Sequence, residues 1–170
     1  MKISLLFGIA LGLLLLLWEY LFYNFIWGTP SWIPVFIPIL LIGTIIFMGI
    51  RTVKNQKYHG EISYKNASLS GFLIMIYGII ILSIGVYNTF PYGNNTFVDD
   101  YISKSRIELQ KDATLTSKEI EDRLIEFRHT LNAMNMTKSN AISLLIFGTL
   151  FSLISASILR KKGDFNPYQS

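Results

Sequence analysis

The residue that most invites a chemical role is a glutamate inside an apolar run. Glu19 stands in "LLLLLWEYLF", residues 13–22, where every other side chain is apolar or aromatic. A carboxyl group within a membrane is costly to bury and commonly marks a proton or cation site. We therefore take Glu19 as the first candidate for an intramembrane polar site.

Such a site would need further polar groups at the same depth. Counted along helices, Ser83 and Ser143 lie at the depth of Glu19 in other apolar runs, and Lys138 lies nearer the surface, within reach of an ion pair. No second acidic, basic or histidine residue occupies the middle of any apolar run. We favour a structural role for Glu19, in which its carboxyl group extends toward the membrane surface. The alternative is that Glu19 forms a proton or ion site.

The remaining residues do not predict catalysis. The chain has no cysteine, which excludes disulfides, thiolate metal sites and a cysteine nucleophile. His59 and His129 have no companion at a metal-ligand spacing, and no phosphate-binding loop or nucleophile elbow is present. We expect no enzymatic activity, no cofactor, no metal site and no nucleic-acid partner.

The elements that would hold Glu19 are membrane-spanning helices. Of the 170 residues, 51% are hydrophobic, and four apolar runs are each close to the roughly 20 residues that cross a bilayer. The expected fold is an all-α membrane protein with four transmembrane helices and a helical periplasmic insertion between the third and the fourth. The runs are Ile3 to Ile26, Ile33 to Ile50, Ala67 to Phe90 and Asn140 to Leu159.

Basic residues predict the orientation of these spans. They cluster before the first run, between the second and third runs, and after the fourth, so the positive-inside rule puts both termini and the central loop in the cytoplasm. We expect a retained first span and a multi-pass protein of the bacterial inner membrane. Interfacial aromatic residues gather toward the opposite side: Trp18, Trp27, Trp32, Tyr87 and Tyr92. The predicted divisions are residues 1–90 for three spans with a cytoplasmic loop at 51–66, 91–137 for the periplasmic segment, 138–162 for the fourth span and 163–170 for the cytoplasmic tail.

Stripes of small residues predict how the spans pack. Helices in lipid associate by close approach of their backbones, which small residues permit. The first run contains a GxxxG pattern, and the third and fourth runs repeat small residues every seven positions. Glu19 lies seven residues beyond Gly12 and so belongs to the same stripe. The stripes fit one bundle or a bundle that also forms a homo-oligomer, and their glycines are Gly8, Gly12, Gly71, Gly78, Gly85 and Gly148.

The segment between the third and fourth runs contains helix signals. After the breaker cluster Pro91 to Asn95, apolar residues at 98, 102 and 109 indicate a short amphipathic helix. In "LTSKEIEDRLIEF", Thr116 and Glu119 have capping-box spacing, while Leu115 and Ile120 have the spacing of a hydrophobic staple. A second helix should therefore begin at this point.

The second outer helix carries one narrow apolar seam. A mixed polar face argues against a helix lying on the lipid surface, so we expect the seam to pack on protein. That protein is either the preceding short helix, in an αα-hairpin, or a partner: another copy or another membrane or periplasmic protein. The seam residues are Ile120, Leu124, Phe127, Leu131 and Met134.

The order of these parts also resembles a known family. The stretches "HGEISYKNASLSGF", "LTSKEIEDRL" and "SASILRKK", in this order, are similar to a family of uncharacterised bacterial inner-membrane proteins, domain-of-unknown-function family 4199. The resemblance covers most of the chain, to Lys162. It implies four spans with a helical outer insertion before the last, and it supplies no functional residues.

Taken together, the patterns predict an integral inner-membrane protein that acts as an assembly or interaction component. The alternative is a small proton- or ion-coupled transporter that uses Glu19. The lipid bilayer is the one partner that both interpretations require.

Overall fold

The protein is all α-helical over the residues that its structure, a computed structural model, describes. These are residues 2–25, 33–89, 96–130 and 132–161. The helices are α1 (Lys2–Phe25), α2 (Ile33–Lys57), α3 (Tyr64–Thr89), α4 (Thr96–Gln110), α5 (Ser117–Thr130) and α6 (Ala133–Leu159). The expected all-α fold is confirmed, and α1, α2, α3 and α6 are long and apolar enough to cross a membrane.

Two of the long helices extend seven residues beyond their apolar runs. α2 continues past Ile50 to Lys57, and α6 begins at Ala133, before the apolar run at Asn140. Local capping sets the start of α6, since the Asn132 side-chain oxygen accepts a hydrogen bond from the Asn135 amide at 2.8 Å. The predicted division between residues 137 and 138 therefore falls inside one continuous helix.

The connection between α2 and α3 is a short turn with two left-handed residues. The Gly60 amide donates to the Lys54 carbonyl oxygen at 3.0 Å and so satisfies one of the last carbonyl groups of α2. His59 and Gly60 have φ values of 49° and 90°. The Ser63 hydroxyl then accepts a bond from the Asn66 amide and caps the start of α3.

The chain divides into two compact units. The four-helix unit comprises the described residues of 1–82 and 141–170, and the outer unit comprises those of 83–140. The core of the four-helix unit contains the fully buried side chains of Leu11, Ile46, Ile50, Ile74 and Leu144.

The exposed surface of the four-helix unit is apolar, as is its core. Large aliphatic side chains are exposed along all its helices, among them Leu6 and Leu13 of α1, Leu40 of α2 and Ile146 of α6. A soluble protein rarely exposes apolar surface of this extent, whereas hydrocarbon solvates it without cost. These faces are therefore the lipid-contacting surface of a membrane bundle.

The outer unit contains the hairpin, formed by α4 and α5. Its core consists of Ile102, Ile120 and Leu124, with Val98, Leu109, Leu115 and Phe127 packed around them. The predicted short helix after residue 95 and the predicted helix start at Thr116 are both confirmed. The breaker cluster Pro91 to Asn95 lies outside the described residues, as do Trp27, Trp32, Tyr92, Leu131, Lys162 and the tail 163–170.

Candidate functional site

The GxxxG pattern of α1 lies directly against α3 of the same chain. A Cβ atom built on Gly12 would stand 2.6 Å from the Ile81 Cβ and 3.0 Å from the Gly78 carbonyl oxygen. One built on Gly8 would meet the Tyr77 Cβ and would lie 2.8 Å from the Ile74 carbonyl oxygen. The two backbones approach so closely that no side chain fits between them at either position.

Small residues also mediate the contacts of α3 with α6 and with α1. A Cβ on Gly71 would lie 2.6 Å from the Ser152 hydroxyl oxygen, and one on Gly148 would lie 2.7 Å from the Met75 Cγ. The Leu11 side chain lies beside Gly78, and a Cβ atom built on Gly78 would stand 3.1 Å from the Leu11 Cδ2. Gly85, the last member of the predicted stripe, lies in the part of α3 that belongs to the outer unit.

Two glycines that sequence reasoning missed contribute to the same packing. Gly43 of α2 lies against the Phe151 ring, and a Cβ atom built on Gly43 would stand 2.9 Å from the nearest ring carbon. Gly49 lies against Ile74 and Phe7. Both are in the second apolar run, where no repeat of small residues drew attention to them. Their separation of six residues does not follow the seven-residue spacing, which is why the pattern was not visible.

Glu19 continues the buried face of α1. Ser4, Gly8, Gly12 and Leu15 are buried along that face, and Glu19 follows Leu15 by four residues. Its side chain is half-buried, whereas those of the neighbouring Leu17 and Tyr20 are exposed. The carboxyl group thus points to the packed side of the helix rather than straight into lipid.

The other residues predicted for the polar site differ in their exposure. Ser143 is exposed and belongs to the four-helix unit together with Glu19, while Ser83 is half-buried and Lys138 exposed in the outer unit. Within the described ranges, no group of three or more His, Cys, Asp or Glu residues is arranged to hold a metal ion. His59 and His129 both have exposed side chains.

The predicted seam of α5 divides between the hairpin core and the surface. Ile120 and Leu124 are buried against α4, and Phe127 packs beside them with its ring edge-on to Tyr101 at 6.3 Å between centroids. Met134, in α6, is 49% exposed. A partner could reach Ile120 and Leu124 only by opening the hairpin, whereas Phe127 is half-buried.

Ion pairs connect the two helices of the hairpin on either side of its core. Arg106 donates to both carboxylate oxygens of Glu121, at 2.6 and 3.2 Å, and Arg128 donates to Asp99 at 2.7 Å. All four side chains are exposed, so each pair contributes only about 0.2–1 kcal/mol. The pairs therefore add little to the stability of the hairpin.

The tip of the hairpin is held by local capping bonds. The Thr116 amide and hydroxyl donate to the Glu119 carboxylate at 2.8 and 2.7 Å, and they hold the pKa of Glu119 below its usual value. The Thr114 hydroxyl and amide lower the pKa of Asp112 in the same way. Between the helices of the hairpin, partial burial raises the pKa of Tyr101.

A second contact that sequence reasoning missed connects the α2–α3 turn to the end of α6. The Lys161 ammonium lies 2.7 Å from the Glu61 carboxylate, and the Lys161 amide donates to the Ile62 carbonyl oxygen at 3.0 Å. The Arg160 guanidinium lies over the Tyr64 ring, 6.0 Å from its centroid. We call this group, Glu61 to Tyr64 with Arg160 and Lys161, the clasp. Its halves are about one hundred residues apart, so no local pattern could reveal it.

An apolar bundle of four spanning helices defines an integral membrane protein. The chain belongs to the family described as protein of unknown function DUF4199, whose model matches residues 6–161. The resemblance inferred from the sequence is thereby confirmed. Neither a curated protein nor a solved structure matches the chain.

Proposed function

We propose that the protein is an assembly or interaction component of the bacterial inner membrane, and that its hairpin is the part that contacts a partner. The observation that supports this proposal is that the hairpin has its own apolar core and its own interhelical ion pairs. It is a folded element in its own right and not a loop that merely connects two spans. We assign it no catalytic residue.

The proposed orientation has both termini and the α2–α3 turn in the cytoplasm and the hairpin in the periplasm. Four spans return the chain to the side where it began. Exposed basic residues beside the turn and at the end of α6, such as Lys57, Lys65 and Arg160, support the cytoplasmic assignment of that end.

The partner is a second copy of the chain or another membrane or periplasmic protein. A face that contacts it must lie outside the hairpin core, and Ile125 is a large apolar side chain there, 65% exposed. A photo-crosslinking amino acid at position 125, introduced in living cells, tests the proposal. Gln110, exposed at the end of α4, is the matched control position.

We expect a discrete adduct from position 125 and none from position 110. The adduct should also disappear when Leu124→Ala opens the hairpin core. Equal labelling from both positions, or none from either, would count against a specific docking face on α5.

A second candidate function is proton- or ion-coupled transport through Glu19. The observation that favours it is the position of this half-buried carboxyl group on the packed face of a spanning helix. In proteoliposomes carrying a pH-sensitive dye, Glu19→Gln should abolish a proton flux that Glu61→Gln leaves intact. A flux unchanged by Glu19→Gln, or no flux from the wild-type protein, would remove this candidate.

A further inference from the structure

We propose that the clasp end of the four-helix unit binds the phosphate headgroup of an anionic phospholipid, with Arg160 as its main contact. The proposal concerns a lipid ligand and is independent of the hairpin's partner and of the membrane orientation. It rests on the fixed position of Arg160, on the excess of positive charge around it and on the apolar surface beside it.

The backbone around Arg160 is held on both sides. Its own amide donates to the Ala156 carbonyl oxygen at 3.0 Å, and the next amide, that of Lys161, donates to the Ile62 carbonyl oxygen at 3.0 Å. Ile62 is only 1% exposed and anchors the turn in the four-helix unit. Arg160 is therefore presented from a rigid frame, which reduces the entropy lost on binding a ligand.

The Arg160 guanidinium keeps its charge available for an anion. It lies over the Tyr64 ring, and the ring attracts the cation without neutralising it. Among the described residues no carboxylate pairs with Arg160, and its side chain is exposed. A guanidinium offers two parallel N–H donors that match the geometry of a phosphate group.

The charge around the clasp is strongly positive. Glu61 is the one acidic residue from 51 to 66, and it pairs with Lys161 at 2.7 Å. The cations that remain are Arg51, Lys54, Lys57, Lys65 and Arg160. Lys57 repeats the arrangement of Arg160, since its ammonium lies 5.1 Å from the centroid of the Tyr58 ring.

The surface beside the cations favours a lipid over a free phosphate ion. Leu153 precedes Arg160 by seven residues, lies on the same face of the helical path and is 37% exposed, and Ile158 and Leu69 extend the exposed apolar surface around α6 and α3. Acyl chains would contact these side chains while the headgroup contacts Arg160. Tyrosines at the ends of spanning helices are typical of the headgroup region, and basic groups at this level recognise anionic lipids.

The test uses the full-length protein and native mass spectrometry of the lipids that it retains. The probes are phosphatidylglycerol and phosphatidylcholine with identical acyl chains, and inorganic phosphate is added as a competitor. We expect retention of phosphatidylglycerol over phosphatidylcholine and no displacement by phosphate. Arg160→Gln should weaken retention about fivefold, the equivalent of about 1 kcal/mol per basic residue.

Three further variants separate lipid binding from general charge and from folding. Lys118→Gln removes the same charge from the exposed surface of the hairpin and should leave retention unchanged. Tyr64→Leu should weaken retention without changing any charge, and Tyr64→Phe should restore it. If Arg160→Gln fails to fold, the two Tyr64 variants still test whether the clasp binds the lipid.

Equal retention of the two lipids would overturn the proposal. So would equal effects of Arg160→Gln and Lys118→Gln, or equal retention by the two Tyr64 variants. Displacement of the lipid by inorganic phosphate would show an anion site with no lipid specificity.

Discussion

Gly12 shows how closely two spanning helices approach in this protein. Alanine at this position would favour the helix by about 1 kcal/mol over glycine. Its Cβ, however, would stand 2.6 Å from the Ile81 Cβ and 3.0 Å from a backbone oxygen of Gly78, neither of which can move freely. Overpacking of this kind costs about 1–3 kcal/mol, so the packing cost outweighs the gain in helix propensity.

We therefore expect Gly12→Ala to destabilise the four-helix unit. Its unfolding midpoint in a titration with sodium dodecyl sulfate should fall relative to the wild-type protein. Ser157→Ala, at an exposed position of α6, is the control and should leave the midpoint unchanged. A midpoint for Gly12→Ala at or above that of the control would mean that α1 and α3 are far enough apart at Gly12 to accommodate a methyl group.

At the scale of elements, the hairpin depends on its small core. Leu124 is 3% exposed, whereas its neighbour Ile125 on the same helix is 65% exposed. Truncation of a buried leucine costs about 2–5 kcal/mol, which exceeds the contribution of both interhelical ion pairs together. Leu124 and not the salt bridges should therefore decide whether α4 and α5 stay paired.

Leu124→Ala should increase the hydrogen exchange of amides in α4 and α5 and leave those of α1 and α2 protected. Ile125→Ala is the matched control, and we expect it to change the free energy of unfolding by no more than about 0.5 kcal/mol. Exchange mass spectrometry of the full chain measures both variants. Similar exchange in the two variants would show that the hairpin is not held by its core.

At the scale of the whole molecule, the absence of cysteine makes the orientation directly measurable. Single cysteines at Ser117 and at Gln56 have exposed positions in the hairpin and at the end of α2. In intact spheroplasts, an impermeant maleimide should label the cysteine at 117 and not the one at 56. Both should react after the membrane is permeabilised.

Labelling of the cysteine at 56 with protection of that at 117 would invert the proposed orientation. The location of the hairpin in the periplasm would then be wrong, while the helical fold would be unaffected.

The sequence by itself determined the helices, because the forces that set them are local or depend on composition alone. A run of about 20 apolar residues must become a spanning helix, since hydrocarbon leaves backbone groups no partners outside the segment. The start of α5 was equally readable, because Thr116 and Glu119 lie three residues apart and cap the same turn. The end of α2 and the start of α6 were less readable, because helical hydrogen bonding continues through polar residues until a cap ends it.

Only the tertiary structure decided which surfaces meet. A GxxxG pattern marks a face that can approach another helix, but it does not distinguish α3 of the same chain from a second copy; the contacts of Gly8 and Gly12 select α3. The α5 seam likewise packs on α4 through Ile120 and Leu124. The clasp was invisible because Glu61 and Lys161 become neighbours only when α6 returns to the α2–α3 turn. Such contacts depend on the path of the whole chain, which no short stretch of sequence encodes.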